Sequence, residues 1–411
     1  MMPNKLKRME KNMLNYKDML EKINSRKDTD SQSNDSSASI TVKTSNIDEL
    51  KELFGVTPQI IESIKKSKGS ADPGAVITRN IITGKLNAIP DAVPVDVTLV
   101  AAEYVAIPDN AQWVLPEGQR NSISIDTLIL GNGASIKSEY SVLTLTVENL
   151  KRGSVPKGQK VLIGKIAENT PSNYDIGIFG KKGETMEKAA AGKTGDNGVS
   201  GSEARCGGGG GTPIGGKAAG VGGNGSDGGD GVNGRNGNNG NPSMITVLNF
   251  MSIDENVKEI VVETYSGEGG DGEDGGNGGA GGNGGKGGAG MQCGCTGMDA
   301  ANGGNGGNGG NGGDGGNGGD GVNGEKITIN IPTSYSENSI LINSKNVAPG
   351  NGGIAGLGGA GGIAGSHGEA GSKHSNEGSD GKHGQNGKPG KNGENGKLSG
   401  MPGEIEVYKI F

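Results

Sequence analysis

Aromatic residues make up only 3% of this 411-residue chain, with one tryptophan, Trp113, and four phenylalanines. Just 30% of residues are apolar. Ordering a residue costs on the order of 1–2 kcal/mol of conformational entropy, more for glycine, so burial this sparse excludes an ordinary hydrophobic core running through the whole chain. Cysteine is scarce too: Cys206, Cys293 and Cys295 set up no disulfide framework by number, which leaves free thiols or one loop cross-link. Cys293 and Cys295 flank Gly294, but His367, His374 and His383 stand far away in sequence, so no metal is expected. No run approaches the roughly 18 consecutive apolar residues of a membrane span, so no transmembrane segment is expected. A net charge of −7 argues against wrapping a nucleic-acid phosphate backbone. The start is basic, with Lys5, Lys7 and Arg8, but Glu10, Lys11, Asn12 and Asn15 follow where a secretory signal needs an apolar stretch. No secretory signal peptide is therefore expected, the location is left open, and any export would use another route. No serine, cysteine or carboxylate stands in a recognisable nucleophile setting and no GxxxxGK[ST] loop occurs, so the reading is a non-enzyme with no catalytic residues and no cofactor.

Glycine is what the chain has, 85 in all. From Gly269 to Gly290, and again from Gly303 to Gly324, it falls on every third position. Three residues per turn is the repeat of the extended left-handed helix of polyproline II type, which makes no internal hydrogen bonds and points its N–H and C=O groups sideways. Without a side chain, glycine lets such backbones approach and bond laterally. The expected fold class is mainly β plus a bundle of glycine-rich polyproline-II-type (polyglycine II) helices, with a short N-terminal α-helical segment.

Composition differs edge by edge. In 303–324 two edges are glycine, up to Val322 on the second, and the third carries Asn305, Asn308, Asn311, Asp314, Asn317, Asp320 and Asn323, which suit water. Segment 378–396 keeps one glycine edge and adds Lys382, Lys388 and Lys391, which places it outermost. Segment 350–371 holds Ile354, Leu357 and Ile363 on one edge, so that edge is expected to pack against apolar strands. Collagen relies on proline, absent from the central tracts, and calcium-binding nonapeptides need a spaced large apolar residue, also absent. Simple disorder fits poorly with edges of such distinct composition.

The remaining sequence divides as follows. Residues 1–27 read as an amphipathic helix whose Leu6, Met9, Met13, Tyr16, Leu20 and Ile23 keep heptad spacing, an oligomerisation or attachment seam to itself or a carrier protein. Residues 28–45 read as a flexible linker and 46–68 as a helical pair, opened by an Asn46–Glu49 capping box. Residues 75–179 alternate apolar and polar residues between turn formers and predict an all-β domain, a sandwich or short solenoid. Residues 180–411 form the glycine-rich part, with β-hairpins at 244–265 and 327–343 and a closing strand at 405–411. GGDGVNG occurs at 228–234 and again at 318–324, which predicts an internal duplication of about 90 residues.

These in-phase glycine tracts, covering about residues 207–400, resemble the glycine-rich domains of T-even-like phage tail-fibre tip adhesins, and the helix type is similar to that of springtail antifreeze proteins. The resemblance implies a stiff glycine scaffold that presents variable loops to receptors on a bacterial surface, behind an N-terminal region attached to a fibre. The strand segments within the tracts depart from that pattern, and none of the family's binding residues is matched here. The function expected is non-catalytic, adhesin-like recognition of a cell-surface receptor or glycan, through Met291, Gln292, Thr296, Met298 and Asp299 on one loop and His374, Ser375 and Asn376 on another. The alternative is a self-assembling structural protein of a filament, surface layer or inclusion, whose partners are copies of itself.

Overall fold

The computed structural model describes residues 16–26, 37–44, 95–207 and 216–409. Its strands form where β-branched residues and leucine alternate with polar ones, the period that puts successive side chains on opposite faces. A first sheet holds β1 (Ser37–Thr44), β2 (Val95–Ile107), β4 (Arg120–Leu130), β6 (Val142–Arg152), β9 (Thr246–Ile253), β13 (Ile327–Ile331) and β15 (Ile405–Lys409), side by side in that order. All its pairs are parallel except β1 with β2. A second sheet runs β14 (Ile340–Lys345), β10 (Ile260–Tyr265), β8 (Ile176–Phe179), β5 (Ser135–Glu139), β3 (Gln112–Val114) and β7 (Lys165–Ala167), parallel except for β7 against β3.

The chain alternates between the sheets: β2 then β3, β4 then β5, β6 then β8, β9 then β10, β13 then β14. It therefore winds as a coil, each turn adding one strand to each sheet in parallel. Side chains facing inward from both sheets make the main core, including Ile123, Ile125, Leu145, Phe250 and Ile329 from the first and Trp113, Ile136, Ile178 and Val262 from the second. Trp113 is buried with its indole N–H donating to the Ile163 carbonyl at 2.8 Å, so its one polar atom is satisfied.

Helix α1 (Tyr16–Arg26) closes the first turn from outside. Met19 and Ile23 are fully buried against Val97, Leu99 and Ala101 of β2 and Ala38 of β1, with Leu20 packed beside them. The expected linker at 28–45 gives way in its second half to β1, where Ala38, Ile40 and Val42 alternate and register with Ala101, Leu99 and Val97. Leu6, Met9, Met13, the helical pair at 46–68 and residues 75–94 lie outside the described residues.

Two further corrections follow. The segments 244–265 and 327–343 are not hairpins, because β9 and β10, like β13 and β14, belong to different sheets and never pair with each other. The expected fold class also gives way. The regular structure is mixed α/β, two large and mostly parallel sheets with one α-helix among the described residues, and a helix bundle is not the architecture. The glycine tracts are extended segments whose backbone hydrogen bonds go sideways to neighbouring segments.

Six such segments lengthen three turns of the coil. Segment I (180–206) leaves β8 and segment II (216–241) returns to β9; III (267–290) leaves β10 and IV (300–324) returns to β13; V (348–371) leaves β14 and VI (378–400) returns to β15. Segments I, III and V run the same way as one layer, and II, IV and VI run back as a second. Every third N–H donates within a layer, as from Gly309 to Gln385 at 2.8 Å, and the next donates across layers, as from Gly310 to Gly279 at 2.8 Å. Each such bond contributes roughly 0.5–1.5 kcal/mol net, so their number takes the place of apolar burial. A Cβ on Gly310 would stand 2.0 Å from the Gly229 carbonyl oxygen, a distance no methyl group tolerates.

The third N–H of most triplets in IV, V and VI faces outward and is taken by a side chain of the neighbouring segment. Asn305, Asn308, Asn311 and Asp314 of IV accept through Oδ1 from the N–H groups of Lys382, Gln385, Lys388 and Lys391 of VI. Asp227 and Asp230 of II serve Asn308 and Asn311 in the same way, and Asp274 and Asn277 of III serve Ile354 and Leu357. Adjacent turns are offset by 81 residues between II and IV, shorter than the 90 suggested by the repeated heptapeptide, whose second copy sits further along its segment. Ile354, Leu357 and Ile363 are 66%, 67% and 60% exposed on the outer face of V, not packed on strands as expected.

Candidate functional site

At the end of the array away from the sheets, three turns carry the chain from one layer to the other. An extended segment gains about 3 Å per residue, so segment III sets these turns roughly 70 Å from β10. The turn from III to IV is a small hairpin of β11 (Met291–Cys293) and β12 (Thr296–Met298), pairing Met291 with Met298 and Cys293 with Thr296. Gly294 sits at its apex with φ +65°, a left-handed conformation that favours glycine.

Bonds join that hairpin to the turn from V to VI. The Asn376 N–H donates to Asp299 Oδ1 at 2.6 Å, and the Ala300 N–H donates to the Asn376 carbonyl at 3.0 Å. A Cβ on Gly297 would lie 2.6 Å from Ser372 Oγ and 2.8 Å from the His374 carbonyl oxygen, so the two turns touch backbone to backbone there. The turn from I to II, of which 208–215 lie outside the described residues, is tied in by a disulfide between Cys206 and Cys293, 87 residues apart. An Arg205–Lys217 bridge closes its base. Cys295 is a free, exposed thiol.

The residues singled out in the sequence thus lie on two adjoining turns. They divide by task. Asp299 and Asn376 bond the turns together, Ser375 Oγ accepts from the Ser372 N–H at 3.0 Å, and Thr296 Oγ1 donates to the Cys293 carbonyl at 3.1 Å. Gln292 is exposed and donates to the Gly294 carbonyl at 3.2 Å. Met291 and His374 are exposed, and Met298 is half-buried. The sequence reading left the Cys206–Cys293 pairing open and missed the contacts of Gly297 and Ser372. The pairing follows from the coil: segments I and III bond at an offset of 86, close to the 87 that separates the two cysteines.

Just behind the turns, His367 of V and Asp380 of VI meet. Asp380 accepts from the His367 N–H at 2.7 Å and lies 2.6 Å from its Nδ1, contacts that hold the carboxyl below its ordinary pKa. Of the N-terminal seam residues that are described, Leu20 and Ile23 pack on the first sheet, and Tyr16 begins α1.

Among the described residues no group of three or more His, Cys, Asp or Glu side chains could hold a metal ion. Among them, too, no helix is long and apolar enough to cross a membrane. Comparison with models of protein families, with curated proteins and with solved structures finds no match for this chain.

Proposed function

We propose that this is a non-catalytic recognition protein whose contact surface is the cluster of three turns at the far end of the glycine array, directed at a cell-surface receptor or glycan. The observation that carries the reading is the convergence of those turns, bonded to one another and cross-linked by Cys206–Cys293, at the end of a laterally bonded support. Turns already fixed in place lose little conformational entropy on binding. A structural disulfide also suits an oxidising, extracellular setting. The phage tail-fibre tip resemblance points the same way.

Self-assembly is the weaker alternative. Antiparallel β1 and β7 end the parallel sheets at the start of the coil, where a second copy would have to continue the parallel winding for an open-ended filament.

The test is binding of fluorescently labelled protein to a panel of intact cells, with Gln292→Ala/His374→Ala as the turn variant. Saturable binding by a monodisperse protein, lost in the variant while the fold is kept, supports the reading. Binding that the variant leaves unchanged, or concentration-dependent growth of particles without cells, overturns it.

A further inference from the structure

A second feature lies at the opposite end of the array, where the second sheet gives way to glycine. Strand registers place Glu139, Phe179, Tyr265 and Lys345 in one row across β5, β8, β10 and β14. This is the outer face of the sheet, since the alternating Ile176, Ile178 and Val262 point into the core. The Tyr265 ring stacks on Phe179 with centroids 4.3 Å apart and planes 18° from parallel, and Tyr174 meets Phe179 edge-on at 5.5 Å. Gly177 makes room for this, because a Cβ there would stand 2.5 Å from the Phe179 ring. Phe179 is only 3% exposed, so Tyr265, half-buried, is the ring that fronts the surface.

Tyr265 lines a cleft of about 320 Å³. Part of the cleft's polar lining is already engaged: Lys345 pairs with Glu263 at 2.7 Å, Lys182 lies 3.6 Å from Asp271, and Glu139 pairs with Lys137 at 2.5 Å. Other groups are uncommitted among the described residues. The Glu268 carboxylate and the Asn346 amide, both exposed, make no side-chain hydrogen bond, and the Ser266 hydroxyl is buried without a partner. Glu139 and Glu268 balance Lys182 and Lys345, so the cleft presents no net charge to attract an anion.

An aromatic face beside free acceptors and donors suits a ligand with one apolar face and a rim of hydroxyls. We propose that this cleft binds a neutral pyranose sugar, its C–H face on Tyr265 and its hydroxyls donating to Glu268 and bonding Asn346. The proposal stands apart from the turn cluster and does not depend on it.

Saturation-transfer NMR on the full chain with methyl glycosides of glucose, galactose, mannose and N-acetylglucosamine, and with glucuronic acid and inorganic phosphate as charged controls, tests it. Transfer to ring protons of at least one neutral glycoside and to neither control is expected, with affinity falling about tenfold in Tyr265→Ala, the loss of one aromatic contact. Should Tyr265→Ala misfold, Glu268→Gln/Asn346→Ala changes only exposed positions and should weaken the same signal, while Gln292→Ala/His374→Ala leaves it intact. Transfer to none of the neutral glycosides, preference for the anions, or signals unchanged in both cleft variants overturns the proposal.

Discussion

Replacing Gly310 by alanine separates lateral backbone bonding from every other account of the glycine array. In a chain with room for the methyl group, this change stabilises by about 0.4–1 kcal/mol, because alanine has fewer unfolded conformations to lose. Here the methyl would stand 2.0 Å from the Gly229 oxygen and 2.4 Å from its carbon. Segments II and IV must move apart, and three bonds across that boundary are the first to go: Gly228 N–H to the Asn308 carbonyl, Gly231 N–H to the Asn311 carbonyl, and Asn311 N–H to Asp230 Oδ1. At roughly 0.5–1.5 kcal/mol each the loss is about 3 kcal/mol, in line with overpacking costs of about 1–3 kcal/mol. That corresponds to about a hundredfold in the local opening equilibrium. Hydrogen exchange read by mass spectrometry on peptides from 222–240 and 303–324 should show protection falling by that factor. Asn311→Ala is the control: it removes one exposed acceptor for the Lys388 N–H, which water replaces, and should cost under about 1 kcal/mol. Unchanged or increased protection in Gly310→Ala refutes the reasoning, since the sign alone distinguishes a packed array from a chain with space to spare.

Two further outcomes follow. Asp271 is held below its ordinary pKa chiefly by the Asn351 N–H it accepts, and Asp380 by the His367 N–H; a carboxyl depressed on folding contributes stability above its unfolded pKa and loses it as pH falls through the folded one. Stability should therefore drop below about pH 4, less steeply in Asp271→Asn/Asp380→Asn, and an identical slope in acid titrations followed by circular dichroism counts against the assignment. Reducing Cys206–Cys293, which closes an 87-residue separation, removes about 4–5 kcal/mol of constraint on the chain-entropy account, so hydrogen-exchange protection should fall first in the 291–298 hairpin while the fluorescence of buried Trp113 stays as in the oxidised protein; a simultaneous change in both would show that the turn and the sheets open as one unit.

Much of this architecture is written in local patterns and some of it is not. The triplet phase shows which residue of each three meets water: Asn305, Asn308 and Asn311 are exposed, whereas Gly304, Gly307 and Gly310 are covered. Alternation marks β2, β4 and β6. Sheet membership leaves no local trace, however. Asp254 and Glu255 between β9 and β10 look like a hairpin turn, yet the polar turn serves equally well where the chain steps from one sheet to the other, and only the parallel register of β9 with β6 decides. The same holds at the far turns. Cys206 and Cys293 meet because segments I and III lie side by side, and segment adjacency follows from the coil, not from the residues near either cysteine. Ile354, Leu357 and Ile363 look like core residues when each segment is considered alone. Their exposure follows from V being the last segment of its layer.

That terminal position frees one edge of segments V and VI from a duty that binds the inner ones, although Asn386, Asn392 and Asn395 of VI still accept from N–H groups of V. Inner segments must carry short amides or carboxylates outward, as Asn305 and Asp314 do, because a neighbour's N–H depends on them. Among the described residues no further segment lies beyond that outer edge, so Ile354, Leu357 and Ile363 of V and Lys382, Lys388 and Lys391 of VI stand where the interior carries asparagine or aspartate. Mutational drift should therefore be tolerated at those outer-edge positions and purged at the asparagines that serve a neighbour, which makes the row of Lys382, Lys388 and Lys391 the natural place to graft a foreign epitope without disturbing its support.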